Sequence, residues 1–255
     1  MKCKVCGAQN ESCFSGNLLG KYEVKYYQCG KCDFVQTEEP YWLNEAYERS
    51  INVSDTGYMV RNLFFKKRLT ILLYLLFGNK GRFVDYAGGY GVFVRLMRDA
   101  GFDFEWYDKY TQNLFAAGFE WDKASRVDAV TLFEVFEHFV EPVDELDGLL
   151  KIADTVIFST ELHPSPLPTP ENWWYYGLDH GQHISFYSKK SLNYLARKFN
   201  VNYYSIGSLH IFTKNEMSKF ILFLPKLSKF GLEKIIEKRM HSKVWSDYKK
   251  LSERL

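Results

Sequence analysis

An α/β fold, with a mostly parallel sheet preceded by a small cysteine-rich ribbon and followed by C-terminal helices, is predicted by three features of this 255-residue sequence. A short apolar run, Arg82 to Tyr86, leads through Ala87-Gly88-Gly89-Tyr90-Gly91 into a helical stretch from Val92 to about Ala100, the order strand, tight turn, helix. Further strand-like runs at 104–107, 128–132 and 155–160 are set apart by longer segments, as parallel strands joined by crossovers require. Four of the cysteines stand as two close pairs near the N-terminus. With 46% hydrophobic and 25% charged residues and a net charge of +2, the composition excludes a disordered chain, a collagen-like repeat and a disulfide miniprotein. Aromatic residues reach 18%. They read first as core, and second as a pocket for a flat ligand.

The cysteine pairs are Cys3-Lys4-Val5-Cys6 and Cys29-Gly30-Lys31-Cys32. Each places two thiols one tight turn apart, and together they offer four soft ligands to one divalent ion, which favours structural zinc over disulfides in a reducing compartment. The segment between them, Lys21 to Gln28, alternates charged and apolar residues as a strand does. Residues 1–36 therefore read as a zinc ribbon too small to hold a core without its metal. A closed four-sulfur site has no open position for catalysis, so the metal is assigned to structure or to docking a substrate, not to chemistry. Cys13 lies outside the pattern.

Residues 37–80 read as a helical linker or lid: Pro40 to Tyr47, a polar stretch to Gly57, then an apolar-rich helix ending at Gly78-Asn79-Lys80-Gly81. The longest strongly apolar stretch, Leu69 to Phe77, is far shorter than the ~20 residues that a membrane-spanning helix needs. With no secretory signal after Met1, the expected location is cytoplasmic. In residues 81–213, the Gly88-Gly89-Tyr90-Gly91 turn allows backbone N–H groups and a helix start to approach a nucleotide-like ligand. The second strand ends in Asp108, 23 residues after Asp85, where an acid can accept from ribose hydroxyls. A dinucleotide dehydrogenase wants a third glycine where Val94 stands, which argues against that cofactor.

The run Val84-Asp85-Tyr86-Ala87-Gly88-Gly89-Tyr90-Gly91 resembles the first motif of class I S-adenosylmethionine-dependent methyltransferases, with Ala87 where glycine is usual. Asp128 to Pro142, containing Phe133-Glu134 and Glu137-His138, is similar to the fourth strand and following segment of that family, and Thr155 to Thr160 to its fifth strand. The resemblance spans roughly residues 55 to 213. It implies a Rossmann-like, mostly parallel seven-stranded sheet, and the ribbon ahead of it is similar to a subgroup of sugar- and glycan-modifying methyltransferases. It also implies a donor pocket in which Ala87, Gly88, Gly89 and Gly91 line the methionine part and Asp108 holds the ribose. Lys109 or Tyr110 would flank the adenine, Asp85 would act near the amino group, and Phe133 and Glu134 would sit beside the sulfonium. Asp55 to Asn62 resembles a segment that closes over this pocket, with Arg61 reaching the methionine carboxylate or an acceptor phosphate.

Between 164 and 187 lies a stiff, proline-rich loop with Trp173-Trp174-Tyr175-Tyr176 and then His180-Gly181-Gln182-His183. Its place after the fifth strand suits acceptor binding. Neighbouring side chains diverge, so the four aromatics cannot all enter one core. Imidazole suits proton removal near neutrality: His183 is the expected base, with His180, Tyr187 and Tyr176 as helpers or acceptor ligands and Glu137-His138 as a second candidate. The expected acceptor is a small polar molecule, a sugar or nucleotide-linked sugar in glycan or natural-product assembly.

Residues 214–255 read as one or two helices broken by Pro225 and Gly231, with an apolar stripe at Phe220, Ile221, Phe223, Leu224 and Leu227 for packing or oligomerisation. From Thr213 on there are 11 basic and 5 acidic residues against 22 and 26 before it. The acidic body argues against nucleic acid as partner. A ribbon-bearing binding protein that has lost catalysis, or a nucleic-acid methyltransferase, are the alternatives to a small-molecule enzyme.

Overall fold

The computed structural model describes residues 1–48 and 55–253; the polar stretch expected before Gly57 falls largely outside them. At the N-terminus β1 (Glu11–Leu18) and β2 (Tyr22–Gln28) form an antiparallel hairpin. Leu19 and Gly20 turn it at positive φ. In β2 the charged Glu23 and Lys25 face solvent while Val24 and Tyr26 are buried, the period of two that marks the segment as a strand. The short β3 (Val35–Thr37) pairs with β2, and a fourth strand, β8 (Ser185–Phe186), arrives from the far side of the sequence to pair with β3. Tyr175, Tyr176, Ile184 and Phe186 fill the apolar face of this sheet together with Leu18, Val24 and Tyr26. The ribbon thus shares its core with the loop between residues 160 and 187.

The linker holds a single-turn α1 (Leu43–Ala46) and the long α2 (Tyr58–Phe77), which stops at Gly78 with φ of 63°. The main sheet follows: β4 (Arg82–Tyr86), α3 (Val92–Asp99), β5 (Asp103–Tyr107), β6 (Ala129–Leu132), α4 (Pro142–Ile152), β7 (Thr155–Ser159), α5 (Lys189–Lys198), β9 (Asn202–Ile206) and β10 (Leu209–Thr213). Pro142 starts α4, and a reciprocal Ser188–Ser191 capping box starts α5. The strand order is β5-β4-β6-β7-β10-β9, with β10 antiparallel to both of its neighbours. Successive residues feed opposite layers. Phe83 packs toward α2 and α3 while Val84 packs toward α4 and α5, so a strand covered on both faces reads as a continuous apolar run.

The mixed sheet has six strands rather than the seven expected. At the β5 edge the chain makes one parallel bridge, Trp106 to Glu120, flanked by bonds from Trp106 N–H to Phe119 and from Trp121 N–H to Trp106. The segment between Asp108 and Asp128 contains no helix and has positive φ at Gly118 and Lys123. The dozen residues before Glu120 are what a crossover needs, but without a helix and with a kink on either side of it the chain makes a bridge at this edge rather than a seventh strand.

Beyond β10 the tail also departs from the one or two helices expected. It makes α6 (Lys219–Phe223), a 3-10 segment from Leu224 to Phe230, α7 (Leu232–Glu237) and α8 (Val244–Ser252). The expected apolar stripe divides: Ile221 and Leu224 pack against the core together with Leu222, which the stripe did not include, whereas Phe220 and Phe223 are exposed. α8 is fastened by Asp247, nearly buried, which accepts from Arg98 at 2.7 and 2.8 Å and from Arg95 at 2.8 Å. No described helix is long and apolar enough to cross a membrane.

Candidate functional site

Where the parallel strands end, the chain encloses a cavity of about 1000 Å³, the place where open α/β sheets bind ligands. One wall comes from the strand tips. Ala87 and Gly89 follow β4, Asp108 and Lys109 follow β5, and Phe133 and Glu134 follow β6; all six line the cavity. The glycine-rich turn is cramped: a Cβ at Gly88 would meet Asp85 Oδ2 at 2.9 Å and the Trp106 ring at 3.0 Å. Only glycine fits there. Ala87 holds φ of 61° and Glu134 φ of 56°, conformations that cost an ordinary residue free energy and cluster at functional sites. Ser159 fixes Glu134, accepting from its N–H at 2.8 Å and donating to its carboxylate at 2.6 Å.

Asp108 braces the turn. Its carboxylate accepts from Gly89 N–H at 2.9 Å and from the N–H groups of Tyr110 and Thr111 at 2.7 and 2.8 Å. Three of its roughly four acceptor positions are used, leaving one for a ligand in the cavity. Asp85, Gly88 and Gly91 do not reach the cavity wall. Asp85 is buried beneath the turn, where it accepts from the Thr131 hydroxyl at 2.6 Å, and burial pushes its carboxyl up to about 7 against the Thr131 bond. Arg61 does line the cavity, but its guanidinium is engaged with Asp55 at 2.7 and 2.6 Å.

Because Asp85 holds its proton more tightly folded than unfolded, its contribution to stability is full below about pH 4 and is lost as pH rises toward about 7. We expect Asp85→Asn to retain the Thr131 bond and to gain stability over the parent as pH rises. The difference reaches a few kcal/mol at most, since one unit is about 1.4 kcal/mol. Urea unfolding at pH 4.5 and pH 8 checks this; an equal difference at the two values would refute it.

The opposite wall is the aromatic and histidine loop. Trp174 is 77% exposed and lines the cavity, whereas Tyr175 and Tyr176 are buried in the ribbon core. His180 and His183 also line it, their rings 4.7 Å apart. His183 Nδ1 lies 2.6 Å from the Tyr175 carbonyl; since a carbonyl only accepts, Nδ1 carries the proton and Nε2 is the acceptor. Burial, with His180 beside it, pulls the His183 pKa down to about 3 and lowers that of His180 as well. The ring is therefore neutral throughout the physiological range and able to accept a proton, but a weaker base than the ordinary imidazole that the sequence suggests.

Tyr187 is placed elsewhere. It is fully buried and donates to the Phe136 carbonyl at 3.1 Å, away from the cavity. Tyr176 likewise donates to the Pro168 carbonyl. The cavity also gathers Tyr47, which no motif marked and whose hydroxyl is 2.7 Å from His138 Nδ1, and Tyr58 of the expected closing segment, whose hydroxyl lies against Gly89. Both stand in the linker, where sequence periodicity signals only helix. Behind His138, Glu137 is fully buried with neither carboxylate oxygen hydrogen-bonded, and burial raises its pKa. One of its carboxylate oxygens lies within 4.8 Å of a ring nitrogen of His138 and of one of His183.

In the ribbon the four cysteine sulfurs lie within 4.8 Å of one another, with Cys3 3.5 Å from Cys32 and Cys6 3.4 Å from Cys29. Each knuckle closes on itself: Gly7 N–H donates to the Cys3 carbonyl and Asp33 N–H to that of Cys29. The Cys3 thiol is drawn down to about 5 by the hydrogen bond from Cys32, which is pushed up in return. Four thiolates at this spacing repel unless a cation lies among them.

Residues 59–206, more than half of the chain, match the family described as methyltransferase domain. No curated protein matches the chain. Among solved structures, CalO1, a methyltransferase of calicheamicin biosynthesis with bound SAH, is similar at 14% identity and a TM-score of 0.42 over 63% of this chain. The match spans 59% of the length of CalO1. The plantazolicin methyltransferase BpumL, in complex with a desmethyl analogue and SAH, is similar at 15% identity and a TM-score of 0.49, covering 78% of this chain and 88% of its own. Magnesium protoporphyrin IX methyltransferase (ChlM) from Synechocystis PCC 6803 gives 12% identity and a TM-score of 0.40 over 68% of this chain and 94% of its own. With a match that runs across the main sheet and takes in the glycine turn and the strand-tip acids, the chain belongs to the methyltransferase domain family.

Proposed function

We propose that this chain is an S-adenosylmethionine-dependent enzyme that methylates a small polar acceptor, a sugar or nucleotide-linked sugar in glycan or natural-product assembly, with His183 as general base. The observation that carries the reading is one cavity with two unlike walls: strand-tip acids and a glycine turn on one side, neutral histidines and an exposed indole on the other. S-adenosylmethionine, when bound, supplies an electrophilic methyl group on a positively charged sulfur. Asp108 would hold its ribose through the one acceptor position left free. Ala87 and Gly89 would line the methionine part, Lys109 or Tyr110 would flank the adenine, and Phe133 and Glu134 would lie nearest the sulfur, Glu134 balancing its charge.

Trp174 gives the acceptor a flat apolar face, as sugar rings stack on indoles, and His180 offers it a hydrogen bond. The acceptor hydroxyl donates to His183 Nε2, and its proton passes to that nitrogen as the oxygen takes the methyl group. The Tyr175 carbonyl holds the imidazole in the tautomer that can accept it. Four thiolates around one zinc ion fit the ribbon, as structure rather than chemistry. The reduced thiols suit a cytoplasmic enzyme.

Methyl transfer from labelled donor to a panel of nucleotide-linked sugars tests the acceptor class; turnover only with peptides, porphyrins or oligonucleotides would overturn it. Asp108→Ala removes the ribose contact and the three backbone hydrogen bonds that brace the turn, so donor affinity measured by titration calorimetry should fall at least about tenfold, the value of one charge-assisted hydrogen bond. Unchanged affinity would remove Asp108 from the donor site.

A further inference from the structure

We infer that the outward face of α2, α6 and α7 docks the enzyme on an anionic lipid bilayer. Along the first half of α2, Met59, Val60, Leu63, Phe64 and Lys67 are all exposed, Val60 by 70%. They recur at helical spacing and form one stripe. Around α6 and the turn after it, Phe220, Phe223 and Phe230 face solvent beside Lys219, Lys226 and Lys229, while their neighbours Ile221, Leu222 and Leu224 pack inward. α7 adds exposed Ile235 and Lys234. The ion pair between Lys66 and Glu237 ties α7 to α2, so the two stripes are neighbours.

Charge selects the occupant. Tyr58 to Phe77 contains no acidic residue, and Lys219 to Arg239 contains only Glu233, which is buried, and Glu237, which is held by Lys66. An apolar row set among unopposed lysines matches the acyl boundary and anionic headgroups of a membrane surface. A second copy of the chain would set these cations against each other across a two-fold axis. Nucleic acid would leave Val60, Leu63 and Ile235 without a ring to stack upon a base. Tyr58 and Arg61, in the same turns of α2, line the cavity, so docking would bring the cavity mouth close to the lipid.

Co-sedimentation of the full chain with phosphatidylcholine vesicles, with and without phosphatidylglycerol, tests the inference. Binding is expected to the anionic vesicles only, to weaken with salt, and to fall about fivefold for each of Lys226→Gln and Lys229→Gln. The double variant Phe220→Ser/Phe230→Ser should lose most binding with an unchanged melting temperature, since both rings are exposed. Absence from the anionic pellet, binding that survives the double variant, or tighter binding to an oligonucleotide than to vesicles would each overturn it.

Discussion

Replacing His183 by asparagine is expected to lower kcat at least about tenfold and up to ten-thousandfold, the span attributed to positioned general bases, with donor affinity nearly unchanged. Asparagine can offer an N–H to the Tyr175 carbonyl in place of Nδ1, so the loop stays folded while the accepting nitrogen disappears. Alanine would strand that carbonyl and leave a void, confusing chemistry with stability. The pH profile adds a second readout. His183 keeps its ring neutral down to about pH 3, whereas in the unfolded chain it charges near pH 6.5. Its depressed pKa therefore contributes no acid limb to kcat/KM above pH 5. It does cost stability as pH falls below about 6.5, because the unfolded state then binds more protons. Equal turnover in His183→Asn would overturn the assignment, and an acid limb near pH 6.5 that vanishes in the variant would refute the lowered pKa of the ring.

The second large effect concerns the ribbon. Cys29→Ser, or removal of the metal by a strong chelator, is expected to unfold β1 to β3, because apparent binding energies of structural zinc sites run to about 10 kcal/mol or more and this sheet has little core of its own. The loss should travel. Val35 and Gln36 pair with Phe186 and Ser185, and Thr37 N–H donates to the Ile184 carbonyl. His183 precedes this pairing directly, so turnover should fall at least about tenfold with the loss of a positioned base, while the donor wall built on β4, β5 and β6 keeps its affinity. Metal analysis, limited proteolysis of residues 1–37 and donor titration on the same sample check the three steps. A metal-free Cys29→Ser protein with intact β1 to β3 and full turnover would refute the coupling.

Local chemistry made part of this molecule legible in advance. Asp108 stands at a strand tip because Phe104 to Tyr107 is apolar enough to be a strand and the acid ends it, and the cavity wall contains it. The cysteine knuckles follow from spacing within three or four residues, where few conformations are open. Asp85 was less legible: strand alternation directs it beneath the turn, toward Thr131, rather than into the cavity. Tyr187 follows Phe186 of β8, and packing rather than composition sends it into the core beside Phe34 and Phe136.

By itself the sequence determined the periodicities: which runs are strands, where glycine must stand, and that four thiols gather. Those are decided by steric and solvation terms acting over a few residues. Only the tertiary structure decided that the sheet stops at six strands, that β8 completes the ribbon, and that Tyr47 and Tyr58 meet His183 around one cavity. The last two join segments more than a hundred residues apart. They depend on the summed packing of the whole chain, which no local pattern carries.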